Sequence, residues 1–265
     1  MKRRSCKYLL TAALLCAALT LPAKAARRRV PVQADAIPVS AAAYVEQGVT
    51  YVPLRALLNA LGSWQVWWDG EAGQAAAISG SASLRADPAG NVIRVNGIAL
   101  SGRVTVESGV TYVPLRLVCE ALGCKVEWDP YLGGAAVTSP GAAYDAVELY
   151  WLSRIIYAES GAESMTGQIA VGNVILNRME SSQFPNTVEG VIFDRKDAVQ
   201  FEPVSNGQIY KTPSAQSVEA ARRVLDGENV IGSALYFYAP ALSQGVWINA
   251  SCTYQQTIGC HRFYL

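Results

Sequence analysis

Glu159 is the acidic residue whose position in the sequence best suits acid–base chemistry. It ends the run Tyr150-Trp-Leu-Ser-Arg-Ile-Ile-Tyr-Ala-Glu159, which is mostly apolar. Trp151 and Ile155 are four residues apart and the next step of four is Glu159, so a helix would place this carboxylate at the end of a buried stripe. Burial disfavours the charged form of a carboxyl group and raises its pKa, which suits a general acid near neutral pH.

The same pattern has a plainer interpretation. Glu159 could be a solvated carboxylate at a helix end, paired with Arg154 or Arg178. Acids at helix ends are usually solvated, so the spacing by itself favours this second interpretation. A catalytic role for Glu159 therefore needs support from other parts of the sequence.

Two helices must position Glu159. The first is the apolar run that ends on the acid, and the second is predicted from Met165 onward, where apolar and small residues recur at steps of three and four. Ser164 is the predicted N-cap of the second helix. The break Ser160-Gly161-Ala162 separates the two, so Glu159 is expected at a bend that faces open space.

The first half of the chain contains an internal repeat. Gly48-Val-Thr-Tyr-Val-Pro-Leu-Arg55 returns unchanged 61 residues later as Gly109-Val-Thr-Tyr-Val-Pro-Leu-Arg116. Each copy predicts a turn, a strand and a short helix with Pro53 or Pro114 in its first turn, followed by a second strand that ends in Trp-Asp. A hairpin turn at Asp87-Pro-Ala-Gly90 is expected between the units.

Composition and charge limit the function classes. The 265 residues suffice for two domains, and 51% hydrophobic with 16% charged residues excludes a disordered chain.

Residues 1–25 predict a signal peptide, because a basic start precedes an apolar segment and the small-x-small site Ala23-Lys-Ala25. The apolar segment is shorter than the roughly 20 residues of a membrane span, although an uncleaved anchor is the competing interpretation. Without residues 1–25 the chain has 17 basic and 21 acidic residues, so no nucleic-acid partner is expected.

The cysteine and histidine content argues against a metal site. Export would favour two local disulfides, Cys119 with Cys124 and Cys252 with Cys260, and the alternative is four thiols. His261 is the sole histidine, which excludes a multi-histidine zinc centre, and a packed role is favoured over catalysis because no nucleophile accompanies it. No metal or cofactor is expected.

The repeat resembles the small stalk-like domain named after the N-terminal domain of copper amine oxidases. The resemblance rests on the GVTYVPLR stretch and on the Ala-Leu-Gly and Trp-Asp that follow it, over about residues 30–140. It implies a fold and says little about activity. Four side chains could form a binding surface, although structural roles are favoured for them: Tyr51, Arg55, Tyr112 and Arg116.

The second half resembles the spore-cortex-lytic, cell-wall hydrolase family. Matching motifs occur in the family's order over about residues 145–265, among them Ala158-Glu-Ser-Gly-Ala-Glu163, Gln200-Phe-Glu-Pro-Val204 and Ile258-Gly-Cys-His-Arg-Phe-Tyr264. Members are similar to lysozyme-like lytic transglycosylases, in which a Glu followed by Ser is the catalytic acid. The resemblance thereby implies that Glu159 is the proton donor, with Ser160 at the matching next position.

The implied activity is cleavage of the bond between N-acetylmuramic acid and N-acetylglucosamine in peptidoglycan. A hydrolase normally adds a second carboxylate, whereas a lytic transglycosylase can use one Glu and form a 1,6-anhydro product. Glu163 is the candidate second carboxylate, and Asp194, Asp197 and Glu202 are weaker ones. The single-Glu mechanism is favoured, with muramidase hydrolysis or a non-catalytic wall-binding protein as alternatives.

Several other residues are candidates for substrate contact. Tyr236 and Tyr238 alternate onto one face of a strand and could stack on sugar rings, as could Tyr157 or Trp247. Asn177 and Gln200 could bond N-acetyl groups, whereas Arg178 is expected to brace the cleft. The expected partners are peptidoglycan glycan strands, with cell-envelope components for the stalk.

The predicted architecture is α+β in two parts after the signal peptide of residues 1–25. Residues 30–138 form a two-repeat mixed α/β stalk, and residues 143–265 form a lysozyme-like α+β catalytic domain, as the resemblance implies. The linker is Thr138-Ser-Pro-Gly-Ala142, whose composition breaks regular structure. The expected location is outside the cell, in the wall or spore envelope.

Overall fold

The computed structural model describes residues 26–39, 41–196 and 199–265. The predicted signal peptide, residues 1–25, lies outside the described residues, and so does Asp197. Within the described ranges, no helix is long and apolar enough to cross a membrane.

The N-terminal half consists mainly of short antiparallel strands. Its elements are β1 (Arg28–Val30), β2 (Val32–Ala34), β3 (Ile37–Pro38), β4 (Ala43–Glu46), β5 (Val49–Pro53), α1 (Leu54–Ala60), β6 (Gln65–Asp69), β7 (Gln74–Ser79), β8 (Ala82–Asp87), β9 (Val92–Val95), β10 (Ile98–Ser101), β11 (Thr105–Glu107), β12 (Val110–Pro114), α2 (Leu115–Ala121), β13 (Lys125–Asp129) and β14 (Gly134–Thr138). They form three sheets with the orders β1-β4-β5-β12-β11, β10-β9-β8-β7-β6 and β13-β14-β2-β3. Leu57, Val52, Val113 and Val118 are fully buried in the core that these sheets share with α1 and α2.

Each repeat forms the predicted strand and short helix, with one shift in position. Pro53 and Pro114 are the last residues of β5 and β12, and the helices begin one residue later. Both prolines have an extended backbone, with ψ of 119° and 117°, so they close the strand instead of entering the first helical turn. The predicted hairpin between the repeats is confirmed, because β8 and β9 pair antiparallel around the turn that follows Asp87.

The two repeats meet at an approximate two-fold axis. β5 pairs antiparallel with β12, and Val52 lies opposite Val113. These two valines occupy the same position in the two copies of the repeat. Each copy therefore presents the same surface to the other, as in an isologous dimer interface.

The C-terminal half is helical and ends in a small sheet. Its elements are α3 (Ala146–Ser160), α4 (Met165–Glu180), α5 (Val188–Ile192), α6 (Glu202–Asn206), a 3-10 helix (Gln208–Tyr210), α7 (Ala215–Leu225), β15 (Tyr236–Tyr238), α8 (Val246–Ser251), β16 (Tyr254–Ile258) and β17 (His261–Tyr264). The strand order is β15-β17-β16, with antiparallel neighbours. The predicted α+β class is confirmed.

Local chemistry explains where the two central helices begin. The Asp145 side chain caps α3 by accepting hydrogen bonds from Val147 N and Glu148 N. The predicted cap of α4 is confirmed, because the Ser164 hydroxyl accepts from Gly167 N at 3.3 Å. Helices α3, α4 and α7 then pack around Leu152, Ile155, Ile156 and Val224, all of which are buried.

Contacts join the two halves of the chain. Gln33 Nε2 donates to the carbonyl of Ala146 at 3.1 Å, and this bond is buried. The rings of Tyr131 and Phe193 stack with their centroids 4.1 Å apart. The predicted linker from Thr138 to Ala142 lies between β14 and α3, while the division into two domains stays a prediction.

The four cysteines outside residues 1–25 are thiols in the structure. Cys119 and Cys124 are buried, and their thiols form a hydrogen bond. The pairing of Cys252 with Cys260 is not seen, because strand β16 runs between them. Five extended residues span about 16 Å, beyond the reach of a disulfide of about 7 Å between Cα atoms.

Candidate active site

Glu159 lies in the last turn of α3, at the edge of an open pocket. The pocket has a volume of about 430 Å³ and is lined by Tyr157, Ala158, Glu159, Gly161, Ala162, Gln208 and Lys211. Burial, together with the smaller effect of the negative charge of Glu202, raises the pKa of the Glu159 carboxyl to about 7. A carboxyl group with this pKa can both donate and accept a proton near neutral pH.

The end of α3 is shaped by a close approach that only glycine permits. Gly161 N donates to the carbonyl of Tyr157 at 3.0 Å. A Cβ atom on Gly161 would lie 2.5 Å from that carbonyl oxygen and 2.9 Å from the ring of Tyr157. The chain can therefore turn directly over Tyr157, and the predicted break between the two helices is present.

Glu202 is the carboxylate whose charge acts on Glu159. It is the first residue of α6 and is exposed to solvent. The sequence placed it among the weaker candidates, because 43 residues separate it from Glu159 and no local pattern connects them. The structure thus makes Glu202 a stronger candidate for a second carboxylate than the spacing did.

Glu163 has a different environment. Its Oε1 accepts a hydrogen bond from Cys260 N at 3.2 Å and lies 4.0 Å from His261 Nδ1. Gly259 is so close that a Cβ atom there would collide with Glu163 Oε2. The Glu163 carboxylate is therefore in contact with the turn between β16 and β17, and its placement supports bracing of that turn rather than a share in the chemistry.

His261 is packed, as the sequence favoured. It is buried, and its ring lies edge-on to Phe237 with the centroids 5.4 Å apart. Its Nδ1 has no hydrogen-bond partner among the described residues. Burial lowers the pKa of His261, and the charge of Glu163 opposes this effect.

Three predicted site residues make contacts inside the protein. The Ser160 hydroxyl is buried and donates to the carbonyl of Ile156 at 2.9 Å. Asn177 Nδ2 donates to the carbonyls of Gly232 and Ala234 at 2.8 and 2.9 Å. Gln200 Oε1 accepts from Arg178 Nη1 at 3.4 Å. Substrate contacts by these three residues stay predictions, and their visible role is to hold the chain around the site.

Arg178 connects α4 with the strand that carries the tyrosines. Its Nε donates to the carbonyl of Leu235 at 2.7 Å. The guanidinium lies 4.8 Å from the ring centre of Phe184 and 5.4 Å from that of Tyr236. Burial lowers the pKa of Arg178 to about 10. These contacts agree with the bracing role expected for this residue.

The two predicted sugar-stacking tyrosines lie on β15 and are half-buried. The Tyr236 ring meets Trp247 edge to face with the centroids 5.5 Å apart, and Trp247 is 60% exposed. The Tyr238 hydroxyl accepts from Asn249 Nδ2 at 2.9 Å. Tyr236 and Trp247 form an aromatic surface next to Arg178, whereas Tyr238 is tied to α8.

Two pocket residues were not found from the sequence. Gln208 and Lys211 line the pocket of Glu159 from the 3-10 helix and the residue after it. Neither belongs to a motif with a recognisable spacing. Over the part of the chain that the structure describes, no three His, Cys, Asp or Glu side chains are grouped to hold a metal ion.

Comparison with known families assigns each half separately. Residues 162–264 match the family described as Cell Wall Hydrolase, and residues 32–138 match the Copper amine oxidase N-terminal domain. Both resemblances drawn from the sequence motifs are confirmed. Glu159 lies three residues before the first of these matched ranges.

Several curated relatives are named spore cortex-lytic enzymes. The protein of Bacillus cereus is 39% identical over 105 residues, which is 40% of this chain and 39% of the relative. The protein of Bacillus subtilis is 35% identical over 113 residues, 43% of this chain and 36% of the relative. The matched region thus spans about two fifths of the length of these relatives.

A solved structure also matches the C-terminal half. It is the catalytic domain of the germination-specific lytic transglycosylase SleB from Bacillus anthracis, which is 36% identical. The match covers 48% of this chain and 99% of that one, with a TM-score of 0.43.

Proposed function

We propose that this protein cleaves peptidoglycan glycan strands at the bond between N-acetylmuramic acid and N-acetylglucosamine, with Glu159 as the acid and base. The observation that carries the proposal is the half-buried Glu159 carboxyl, which lies beside an open pocket and has a pKa of about 7. The motif match to cell wall hydrolases and the names of the relatives support the same substrate.

The reaction begins with a proton transfer from neutral Glu159 to the glycosidic oxygen. The bond from this oxygen to C1 of the muramic acid then breaks, and C1 develops oxocarbenium character. The ionised Glu159 next takes the proton from the C6 hydroxyl of the same sugar, whose oxygen attacks C1. The products are a 1,6-anhydro sugar and a free 4-hydroxyl, and Glu159 ends protonated as it began.

Residues around Glu159 define what the pocket can contribute. The exposed Lys211 and Gln208 line the same pocket and can donate hydrogen bonds to substrate oxygens. Tyr157 lines it as well and offers a ring to a sugar face. No covalent role is needed from any of the three.

Glu202 supports a second candidate reaction, which is hydrolysis by a muramidase mechanism. Its negative charge raises the pKa of Glu159, and Glu202 would supply a second carboxylate to the reaction if substrate reached both groups. A second carboxylate could activate water or stabilise the sugar cation. The exposed position of Glu202 favours the single-Glu reaction, because a solvated carboxylate stabilises a cation less than a buried one.

The proposed setting is outside the cell, in the wall or spore envelope. The signal peptide predicted at residues 1–25 and the cortex-lytic names of the relatives support it. The N-terminal half would then act as a stalk or targeting module in contact with the envelope.

Digestion of purified cortex and vegetative sacculi, with mass spectrometry of the soluble fragments, tests the reaction. Anhydro-muropeptides that disappear in Glu159→Gln are expected. Reducing ends that disappear in both Glu159→Gln and Glu202→Gln would indicate hydrolysis instead. Absence of released fragments from both wall types would refute cleavage and leave a wall-binding protein.

A further inference from the structure

The two-fold relation between the repeats creates two equivalent grooves in the N-terminal half. The first groove, of about 780 Å³, lies between α1 and β6 of the first repeat and Val110 and Thr111 of the second. The second groove, of about 650 Å³, lies between α2 and β13 of the second repeat and Val49 and Thr50 of the first. Each repeat therefore supplies a helix to one groove and the start of a strand to the other.

The charges that line the two grooves differ. In the second groove, Arg116 forms an ion pair with Glu120 at 3.0 Å, and Arg103 forms one with Glu46 at 2.6 Å. In the first groove, Arg55 is the sole charged lining residue, and Asn59 stands where the second repeat has Glu120. The ion pairs of the described residues do not include Arg55, so its guanidinium can bind an anion.

The aromatic content differs as well. Trp67 and Trp68 both line the first groove and are 41% and 49% exposed. The second repeat keeps the tryptophan as Trp128 but has Glu127 in place of Trp67, and Glu127 pairs with Lys125 at 2.7 Å. The first groove thus combines exposed indole surface, an amide and an unpaired cation. Such a combination marks a binding site, because exposed apolar clusters are otherwise uncommon on soluble proteins.

The tyrosines of the repeat do not take part in this surface. Tyr51 and Tyr112 both pack against Tyr44, with centroids 5.4 and 5.3 Å apart. The sequence favoured structural roles for these tyrosines and for Arg55 and Arg116. The packing supports the structural role for the tyrosines, while Arg55 is exposed on α1.

We propose that the first groove binds a carboxylate-bearing glycan, with sugar rings against Trp67 and Trp68 and a carboxylate on Arg55. Pyranose rings present C–H faces that pack on indole while their hydroxyl groups stay hydrated. An amide such as Asn59 suits the N-acetyl groups or hydroxyls of such a ligand. An entirely apolar partner fits less well, because it would bury Arg55 without a counter-ion. The choice of an acidic amino-sugar polymer rests on the proposed function.

Exchanging residues between the repeats gives a sharp test. Asn59→Glu copies the second repeat and places a carboxylate four residues after Arg55, as Glu120 lies after Arg116. The matched control is Glu120→Asn, which alters the second groove. Both substitutions are at exposed helix positions, and each introduces the residue that the other repeat has at the same position.

Binding is measured by calorimetry on the full chain carrying Glu159→Gln, with soluble peptidoglycan glycan strands and with neutral chitin oligosaccharides as probes. Asn59→Glu and Arg55→Gln should each weaken binding of the acidic glycan by about tenfold, because a charge-assisted hydrogen bond is lost. Trp68→Ala should weaken the binding of both probes, whereas Glu120→Asn and Trp128→Ala should leave the affinity for each probe within about twofold of the parent.

Equal affinities of all variants for the acidic glycan would overturn the groove proposal. Failure of the protein to bind either probe would also overturn it and would leave a protein as the alternative occupant of the groove. Cleavage by the unmodified chain is measured separately. If the chain cleaves glycan but its binding does not depend on the groove residues, the groove proposal alone is rejected. If binding depends on the groove residues but no cleavage occurs, the proposed enzyme function is rejected and the groove proposal stands.

Discussion

The carboxylate of Asp129 accepts a hydrogen bond from the indole Nε1 of Trp151 at 2.8 Å. Asp129 ends β13 in the second repeat, and Trp151 lies on α3, the helix that ends on Glu159. Both residues are buried, and Asp129 Oδ1 also accepts from the backbone N of Tyr131 and Leu132. The N-terminal half is thus anchored to the helix that carries the proposed acid, two turns away from it.

Asp129→Ala should destabilise the protein by about 2–4 kcal/mol, because it leaves the buried indole and two backbone donors without an acceptor. The measurement is the free energy of unfolding in denaturant. Asp69 is the matched control, since it occupies the same place in the first repeat. Unlike the buried Asp129, it is partly exposed, and it pairs with Arg85 at 3.1 Å. Asp69→Ala should cost less than about 1 kcal/mol. Equal losses for the two variants would contradict a special role for the Trp151 contact.

Activity should fall as the pH rises through about 7, because the protonated form of Glu159 is the acid and its pKa is about 7. Glu202→Gln removes a negative charge that raises this pKa, so the falling limb of the pH–rate profile should shift to lower pH. Glu163→Gln is the control, since its amide oxygen can still accept from Cys260 N and the limb should not move. A limb that stays in place in Glu202→Gln would argue against the electrostatic link.

Glu159→Gln should make the folded protein more stable at alkaline pH. The folded-state pKa of Glu159 is about 7 against an ordinary value of 4.5, so the stability that its proton provides is present at low pH and is lost between these values as pH rises. The variant should match the parent near pH ~4 and exceed it by about 1–3 kcal/mol near pH ~8. Thermal unfolding at both pH values checks this, and an equal difference at the two would contradict the burial of a charge.

Gly172→Ala should destabilise the helical core by about 1–3 kcal/mol through overpacking. A Cβ atom there would lie 2.8 Å from Ile156 Cδ1 and 2.9 Å from Val224 Cγ2. Adding Ile156→Val removes the first of these atoms and should recover part of the loss in a double-mutant cycle. Gly70→Ala is the control, because a Cβ atom at Gly70 meets no atom within 4 Å.

Asn177→Ala should lower stability more than it changes substrate affinity. The side chain donates to two carbonyls that precede β15, and its loss leaves both without this partner. A cost of about 1–3 kcal/mol is expected in unfolding, with KM for glycan fragments unchanged. A raised KM at unchanged stability would instead support the substrate contact that the sequence suggested.

Local patterns determined much of the fold and one part of the site. The spacing of Trp151 and Ile155 placed Glu159 at the end of a buried helix, and Ser164 was identified as a cap because capping depends on adjacent residues. The repeat predicted two equal units for the same reason.

Contacts between distant segments could not be predicted from one sequence. Glu202 affects Glu159 through space, and Asp129 meets Trp151 across the two halves, so neither relation leaves a periodic signal. The contacts of the Glu163 carboxylate were missed for a similar reason, since its partners Cys260 and His261 come from the far end of the chain, and its role as a second carboxylate stays a prediction. Their approach depends on how the small sheet packs against the helices.

The pairing of Val52 with Val113 also has a consequence for direction. A two-fold axis reverses any direction perpendicular to it, so a strand that crosses this axis in one groove has the opposite direction at the equivalent position of the other groove. A glycan strand has a reducing and a non-reducing end, and its polarity along the first groove would be inverted along the second. One continuous strand therefore cannot pass straight through both grooves in equivalent contacts. With a single groove active, the N-terminal half would hold every bound strand with the same polarity.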